Sequence, residues 1–333
     1  MTISLDHGGG GEKSGELIKE VRKILGKAGN WQNSGDDSAS LALSKLISQK
    51  SNLQNQNILL TTDAFIVDPI FFPGGDIGKI AVCGTINDLA VMGAKPLGIS
   101  LSIVVEEGFS KADFLKIIKS IAKVSKQAGV PIVTGDTKVT EKGKLDKIEI
   151  TTAGVGIAEK VINNAGAQVG DVVIASGDLG EHTVALLSER FGYRSRVSSD
   201  CKSIDKEMLA IGKFVHSAKD PTRGGLAANL VEMAEKSKVK IVLDENLLPY
   251  KKETIALGGL LGIDIFSFAS EGRFLATVAE KDSAKVLKIL KKFNSEAKII
   301  GKVQRGKGVY LQTKLGSLRP IEMPNGKLIP RIC

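Results

Sequence analysis

Cysteine is scarce in this chain of 333 residues: Cys83, Cys201 and Cys333 stand far apart, form no CxxC pair and leave an odd one over. That excludes a disulfide framework and a structural zinc site, and it points to a reducing compartment, the cytoplasm. Aromatic residues are only 5% of the chain and do not interleave with its lysines, which is poor material for stacking bases. The net charge of +9 is therefore read as solvated surface rather than a nucleic-acid footprint, because Lys111, Lys116, Lys119, Lys123 and Lys126 recur on one helical face. No apolar run approaches the ~20 residues of a membrane span. The N-terminus offers Asp6 and a glycine run where a signal peptide would have a basic region and an apolar stretch, so neither membrane nor export is expected. Histidine is equally sparse, and His7, His182 and His216 are too scattered to form a metal site; each reads as a local hydrogen bonder.

What is present is material for two domains. Hydrophobic periodicity predicts helices near 15–25, 79–92, 111–128, 181–191, 206–216, 225–236 and 283–293. Strands are expected near 58–62, 99–105, 130–134, 147–157, 240–243, 274–278 and 297–303, and the apolar run after Asp171 reads as one more. A turn at 166–171 resets the pattern, so the boundary is placed near residue 160: one half at 1–160, a second at 161–315 and a tail at 316–333. Mixed elements in two halves make an α+β architecture.

Four acidic segments in the first half share one character, an Asp in a tight Gly, Thr or Asn context at an element end: Gly35-Asp36-Asp37, Thr61-Thr62-Asp63, Asn87-Asp88 and Gly135-Asp136-Thr137-Lys138. Hard divalent cations such as Mg²⁺ need oxygen ligands of this kind and bridge them to substrate phosphates. Two glycine runs, 7–11 and 72–79 with Gly74 and Gly75, offer free backbone N–H groups to phosphate, yet neither matches a P-loop or a dinucleotide fingerprint. Together they point to a nucleoside triphosphate and a metal on another fold. In the second half, Ser176–His182 and Asp220–Gly225 are turns entering helices, and Ala269-Ser270-Glu271-Gly272-Arg273 places a carboxylate beside a glycine turn, with Glu271 as a possible general base. Cys83 reads as a buried small residue and Cys201 as a free thiol in a polar surface loop.

The chain ends Pro330-Arg331-Ile332-Cys333. A terminal cysteine is tethered at one end only, Arg331 supplies positive charge that favours thiolate, and Pro320, Pro324 and Pro330 keep the segment extended. The tail reads as a flexible arm that carries its thiol, and both an inward and an outward position are open to it.

These segments, in this order, resemble the AIR-synthetase-like (PurM-like) ATP-binding superfamily. Within it, the Phe71–Lys79 run and the Pro-Arg-Ile-Cys end resemble the HypE family of hydrogenase maturation proteins. The resemblance implies an N-terminal αβ half that binds ATP and pairs with a second copy in a barrel-like homodimer interface, and a C-terminal αβ half packed beside it. It implies ATP with Mg²⁺ near that interface, Asp37, Asp63, Asp88 and Asp136 as carboxylates on metal and phosphate, and Gly75, Asn87, Gly135 and Thr137 as further residues of the nucleotide site. The implied chemistry is ATP-dependent dehydration of a carbamoyl group on Cys333 to a thiocyanate, the source of hydrogenase cyanide ligands, with Lys138 and Glu271 handling charge and protons. HypF as carbamoyl donor and a HypC–HypD complex as cyanide acceptor are the implied partners. Ser270 stands where that family usually has Asn, which removes an amide donor beside Glu271. Two other readings remain: a small-molecule kinase or synthetase of the thiamine-phosphate kinase or selenophosphate synthetase type, and a scaffold that uses nucleotide only to control assembly.

Overall fold

The structure, a computed structural model, describes residues 11–25, 32–33, 36–45, 55–325, 329 and 331–333. His7, Gly8–Gly10, Gly35 and Pro330 lie outside them. The first half runs α1 (Glu12–Leu25), β1 (Ala39–Ala42), β2 (Asn57–Phe65), β3 (Phe71–Phe72), β4 (Gly75–Asp76), α2 (Ile77–Val91), β5 (Lys95–Glu106), α3 (Lys111–Ala128), β6 (Ile132–Thr140) and β7 (Ile148–Ala158). The second continues with β8 (Asp171–Ala175), α4 (Glu181–Phe191), α5 (Asp205–Ile211), β9 (Val215–Lys219), α6 (Gly225–Ser237), β10 (Lys240–Asp244), α7 (Lys252–Leu261), β11 (Leu275–Ala279), α8 (Glu280–Leu290), β12 (Lys298–Gln304), β13 (Gly308–Gln312) and β14 (Leu318–Ile321).

Five strands of the first half form one sheet, in the order β1-β2-β7-β5-β6, antiparallel except for the β5–β6 pair. α2 lies across this sheet and is apolar nearly all round, the mark of a helix buried on every side. Asp76 caps its start by accepting from the Lys79 N–H at 3.0 Å. Its close seat on the sheet depends on Gly154 of β7, where a Cβ would come within 2.6 Å of the Thr85 methyl. Ile77 to Ile86 of α2 pack in the core with α3, while Leu89 to Met92 pack with β8, β11 and α8 of the second half, so one helix is shared by both cores.

The second sheet has seven strands, β14-β13-β10-β12-β8-β11-β9. β8 is buried at every position, which explains its unbroken Val-Val-Ile run. Two expectations need correction here. The helix expected over 206–216 ends at Ile211; after a short 3₁₀ turn the chain becomes β9, because Val215 and Ala218 fill the core beside β11. The tail placed at 316–333 begins later, since Leu318–Ile321 pair with β13 as an edge strand and Ile321 is buried in the core; Pro320 is tolerated at an edge, where one face of the backbone has no strand to donate to.

β6 differs from every other strand of its sheet. It occupies an edge, and its side chains are exposed from Val133 to Val139 on both faces. Val133 is 62% and Val139 69% exposed, a large apolar presentation on an unpaired edge.

Candidate functional site

Asp37 lies in the turn 36–38 before β1, Asp63 lies on β2, Asp88 sits on the last turn of α2, and Asp220 directly follows β9. Strand, helix and turn converge where α2 crosses the first sheet and meets the second. One carboxylate oxygen from each of Asp37, Asp88 and Asp220 lies within 4.8 Å of the others. Asp63 lies beside Asp88, which accepts from the Thr61 hydroxyl at 2.8 Å. Gly84 of α2 lets the helix approach here, since a Cβ would already be 3.1 Å from the Phe65 ring.

Such crowding is costly to charge. Burial, then the neighbouring carboxylates, pushes Asp88 well above the usual carboxylate range, and burial also raises Asp63 and Asp37 although Arg223 and Lys219 oppose it. Asp220 is pushed up to about 8 by burial and by Asp37. Burial alone would lower the Lys219 ammonium, but Asp37 at 2.5 Å and Glu232 at 3.5 Å outweigh it and hold it above its ordinary value. Asp37 Oδ2 and Asp220 Oδ2 are buried without a hydrogen-bond partner among the described residues. Clustered oxygens with unused lone pairs are the donor set of a hard divalent cation, so these residues fit Mg²⁺.

The cluster lines a cavity of about 580 Å³ that also receives Arg223, Glu271 and Cys333. Glu271 is buried, its Oε1 has no partner among the described residues, and burial followed by Asp220, Asp200 and Asp63 raises its carboxyl well above the usual range. Its backbone is fixed from three sides. Its N–H donates to Asp200 Oδ1 at 3.0 Å, its carbonyl accepts from Asn87 Nδ2 at 3.1 Å, and the preceding Ser270 N–H donates to Pro221 O at 2.8 Å. That last bond ties the Glu271 segment to the turn that carries Arg223. Ser270 does not leave a gap where an amide is missing: its hydroxyl accepts from the Gly180 N–H at 2.8 Å.

The tail is docked inward. Ile332 is buried in the first-half core with Cys83 and Cys201, and the Cys333 side chain reaches the cavity. Two sequence expectations fail at this point. Cys201 is no surface thiol but is 2% exposed, because it packs in a core with Cys83 of α2 and Leu186 of α4. Arg331 does not activate Cys333: it pairs with Asp146, and burial followed by Glu271 raises the thiol, with Arg223 as the cation that opposes this. Cys333 is held as a neutral thiol.

Of the residues singled out in the sequence, Asp37, Asp63, Asp88, Glu271 and Cys333 meet in this cavity. Asn87 does not face it; its amide bridges Glu271 O, Lys202 O and the Ile204 N–H, fastening the two halves together. Gly75 packs against Phe72 and Lys79. Gly135, Asp136, Thr137 and Lys138 lie on β6, where Asp136 and Lys138 are mostly exposed and 3.6 Å from each other. Asp220 and Arg223 stand in the sequence as parts of a turn entering a helix, and Lys219 carries no expectation there; the signal available was three charged residues within five positions.

Family models describe residues 35–158 as the AIR synthase related protein N-terminal domain and 168–314 as its C-terminal domain. The carbamoyl dehydratase HypE of Cupriavidus necator is 40% identical over 99% of this chain and 95% of its own length. A HypE chain from a crystal structure of a HypE–HypF complex superposes with a TM-score of 0.83 at 37% identity, covering 92% of this chain and 99% of that one. The crystal structure of hydrogenase maturation protein HypE in complex with ATP matches with a TM-score of 0.80 at 32% identity over the full length of both chains. The two matched domains, the full-length relatives and the acidic cavity closed by a terminal cysteine together make this chain a member of the HypE family of AIR synthase related proteins.

Proposed function

We propose that this chain is an ATP-dependent carbamoyl dehydratase whose substrate group is carried on its own C-terminal cysteine. The observation that carries this reading is the position of Cys333, inside a buried acidic cavity and beside both Glu271 and Arg223. A small-molecule kinase would leave that space for a diffusible substrate. Here the chain's own end occupies it.

In the proposed reaction the carbamoyl oxygen on Cys333 attacks the γ-phosphorus of ATP and ADP departs. The two N–H protons are then lost, the C–O bond breaks with phosphate as leaving group, and S–C≡N remains. Asp37, Asp63, Asp88 and Asp220 would hold Mg²⁺, which would supply charge neutralisation for phosphoryl transfer. Glu271, kept from ionising easily by burial, suits a base that takes a proton from a weakly acidic N–H, and Arg223 is placed to hold the oxygen as charge develops on it. The raised thiol of Cys333 agrees with a carrier rather than an attacking nucleophile.

Gly135, Asp136, Thr137 and Lys138 enter this reading through a homodimer. The exposed edge and faces of β6 are the surface on which a second copy would complete a barrel-like interface, bringing Asp136 and Lys138 to the partner's nucleotide site. By analogy with the HypE–HypF complex, HypF would supply the carbamoyl group. A HypC–HypD complex would accept the cyanide in the cytoplasm.

Intact-mass analysis after incubation with HypF, carbamoyl phosphate and ATP tests the proposal. Cys333 should gain about 43 Da and then fall to about 25 Da above the free thiol as ATP is consumed. An unmodified Cys333 in the presence of active HypF would return the chain to the kinase or scaffold readings.

A further inference from the structure

The last three residues are held by their main chain as well as by their side chains. Asp68 N–H donates to Arg331 O at 3.1 Å and Ile66 N–H to Cys333 O at 3.3 Å, so alternate main-chain oxygens bond to one backbone segment of the first half. The carbonyl between them, Ile332 O, points the other way and meets His182 Nε2 at 2.7 Å. Arg190 of the same helix, α4, donates from Nη2 to Arg331 O at 2.9 Å and from Nε to Asp68 O at 2.8 Å, joining the tail to the segment it lies on. The main-chain O of each residue from 331 to 333 therefore has a donor.

A carbonyl can only accept, so His182 carries its proton on Nε2 and its Nδ1 must accept. The Ser199 hydroxyl lies 2.8 Å from Nδ1 and supplies that proton, while Ser199 Oγ accepts from the Cys201 N–H at 3.1 Å. The relay fixes one tautomer and one ring orientation. Phe72 sets its edge against the imidazole with centroids 5.2 Å apart, and the ring is wholly buried. Burial pushes His182 down to about 4, partly opposed by its bond to Ile332, which keeps it neutral at physiological pH. Arg331 meanwhile adopts φ +54°, a left-handed conformation that L-residues rarely take and that persists only where the surroundings impose it.

We infer that His182 and Arg190 are positioning residues: with the backbone of 66–68 they form a clamp for the terminal tripeptide that sets how far the Cys333 thiol enters the cavity. Neither touches the sulfur. The clamp matters because the carried group must stand between Glu271 and the phosphate donor, and a displacement of one residue would move it by ~3.3 Å, enough to lose an in-line geometry. The role of the clamp in conversion rests on the dehydratase reading, whereas the clamp itself does not.

The test uses the full-length chain and two readouts. Iodoacetamide alkylation followed by peptide mass analysis reports how firmly the thiol is docked, with buried Cys83 and Cys201 as controls in the same molecule. His182→Ala and Arg190→Met should each alkylate at Cys333 at least about tenfold faster than wild type while Cys83 and Cys201 stay as protected as before, the pattern of local release rather than general loosening. With HypF, carbamoyl phosphate and ATP, both variants should still gain the carbamoyl mass but convert it with a kcat lowered at least about tenfold and an unchanged KM for ATP. If His182→Ala exposes all three cysteines, Arg190→Met decides, because among the described residues the bonds of its guanidinium reach only the carbonyls of Asp68 and Arg331. Wild-type alkylation of Cys333 in that variant would overturn the clamp. Faster alkylation with wild-type conversion would overturn its positioning role. If the wild-type chain is never carbamoylated, the dehydratase reading fails, and the alkylation result alone still supports or overturns the clamp.

Discussion

Lys219 Nζ and Asp37 Oδ1 meet at 2.5 Å across the join between the two halves of the chain, one from the end of β9 and the other from the turn before β1. The pair sits at the rim of the carboxylate cluster, so the ammonium both fastens the halves and offsets part of the negative charge that the site concentrates.

Lys219→Met therefore leaves Asp37 buried without its cation, a loss of about 3 kcal/mol for a broken buried pair. Thermal unfolding in EDTA should fall by several degrees relative to wild type. Added MgCl₂ should raise the variant more than the wild type, because the ion then replaces the missing charge. An equal Mg²⁺ response in both proteins would separate Lys219 from the metal site.

Asp220 gives the stability a sign in pH. Its native pKa is about 8 against an ordinary value near 3.8. Between those values the folded chain binds more protons than the unfolded one, so this contribution is complete below pH ~4 and is lost as pH rises to ~8. Urea unfolding in EDTA should show stability falling over that window, with a shallower slope in Asp220→Asn. Saturating Mg²⁺ should flatten the wild-type slope as well, since the cation favours the ionised form.

Glu271→Gln keeps the shape of the side chain and removes the base. Conversion on Cys333 should slow by about 10²–10⁴-fold, so that mass analysis finds carbamoyl accumulating without thiocyanate. ATP affinity should hold within about twofold, because no phosphate contact is assigned to this carboxyl. Loss of ATP binding instead would mean that Glu271 serves the nucleotide.

The unpaired β6 edge yields a prediction about assembly. If β6 forms the proposed homodimer interface, Val139→Asp should shift sedimentation toward a monomer, since it sets a charge at a valine that is 69% exposed on that edge. If β6 completes the partner's site, Lys138→Ala and Glu271→Gln homodimers should each be slow, and mixing them should restore about a quarter of wild-type activity through heterodimers with one intact site. Absence of any restoration on mixing would confine Lys138 to its own chain.

Much of this was legible in one dimension. α3 was readable to its ends because the apolar spacing of Phe114, Ile117, Ile118 and Ile121 is a local property and Ser110 and Gly129 cap it. β9 was not, since Val215 and Ala218 become strand only through β11 beside them. The carboxylates at 37, 63 and 88 stood out by their tight-turn contexts. Asp220 and Arg223 did not, because a turn entering α6 explains their residue types just as well until Ser270 is seen bonded to Pro221.

The sequence by itself determined the residue types that the chemistry needs: carboxylates at element ends, a Glu beside a glycine turn and a cysteine at the terminus. Those follow from local spacing and from motif order, which survive without coordinates. Only the tertiary structure decided which of them share a cavity, that Cys333 lies inward as a protonated thiol, and that Arg223 rather than Arg331 is the guanidinium beside it. Proximity across more than a hundred residues and the desolvation that shifts a pKa arise from packing, and packing has no counterpart in the linear order of the chain.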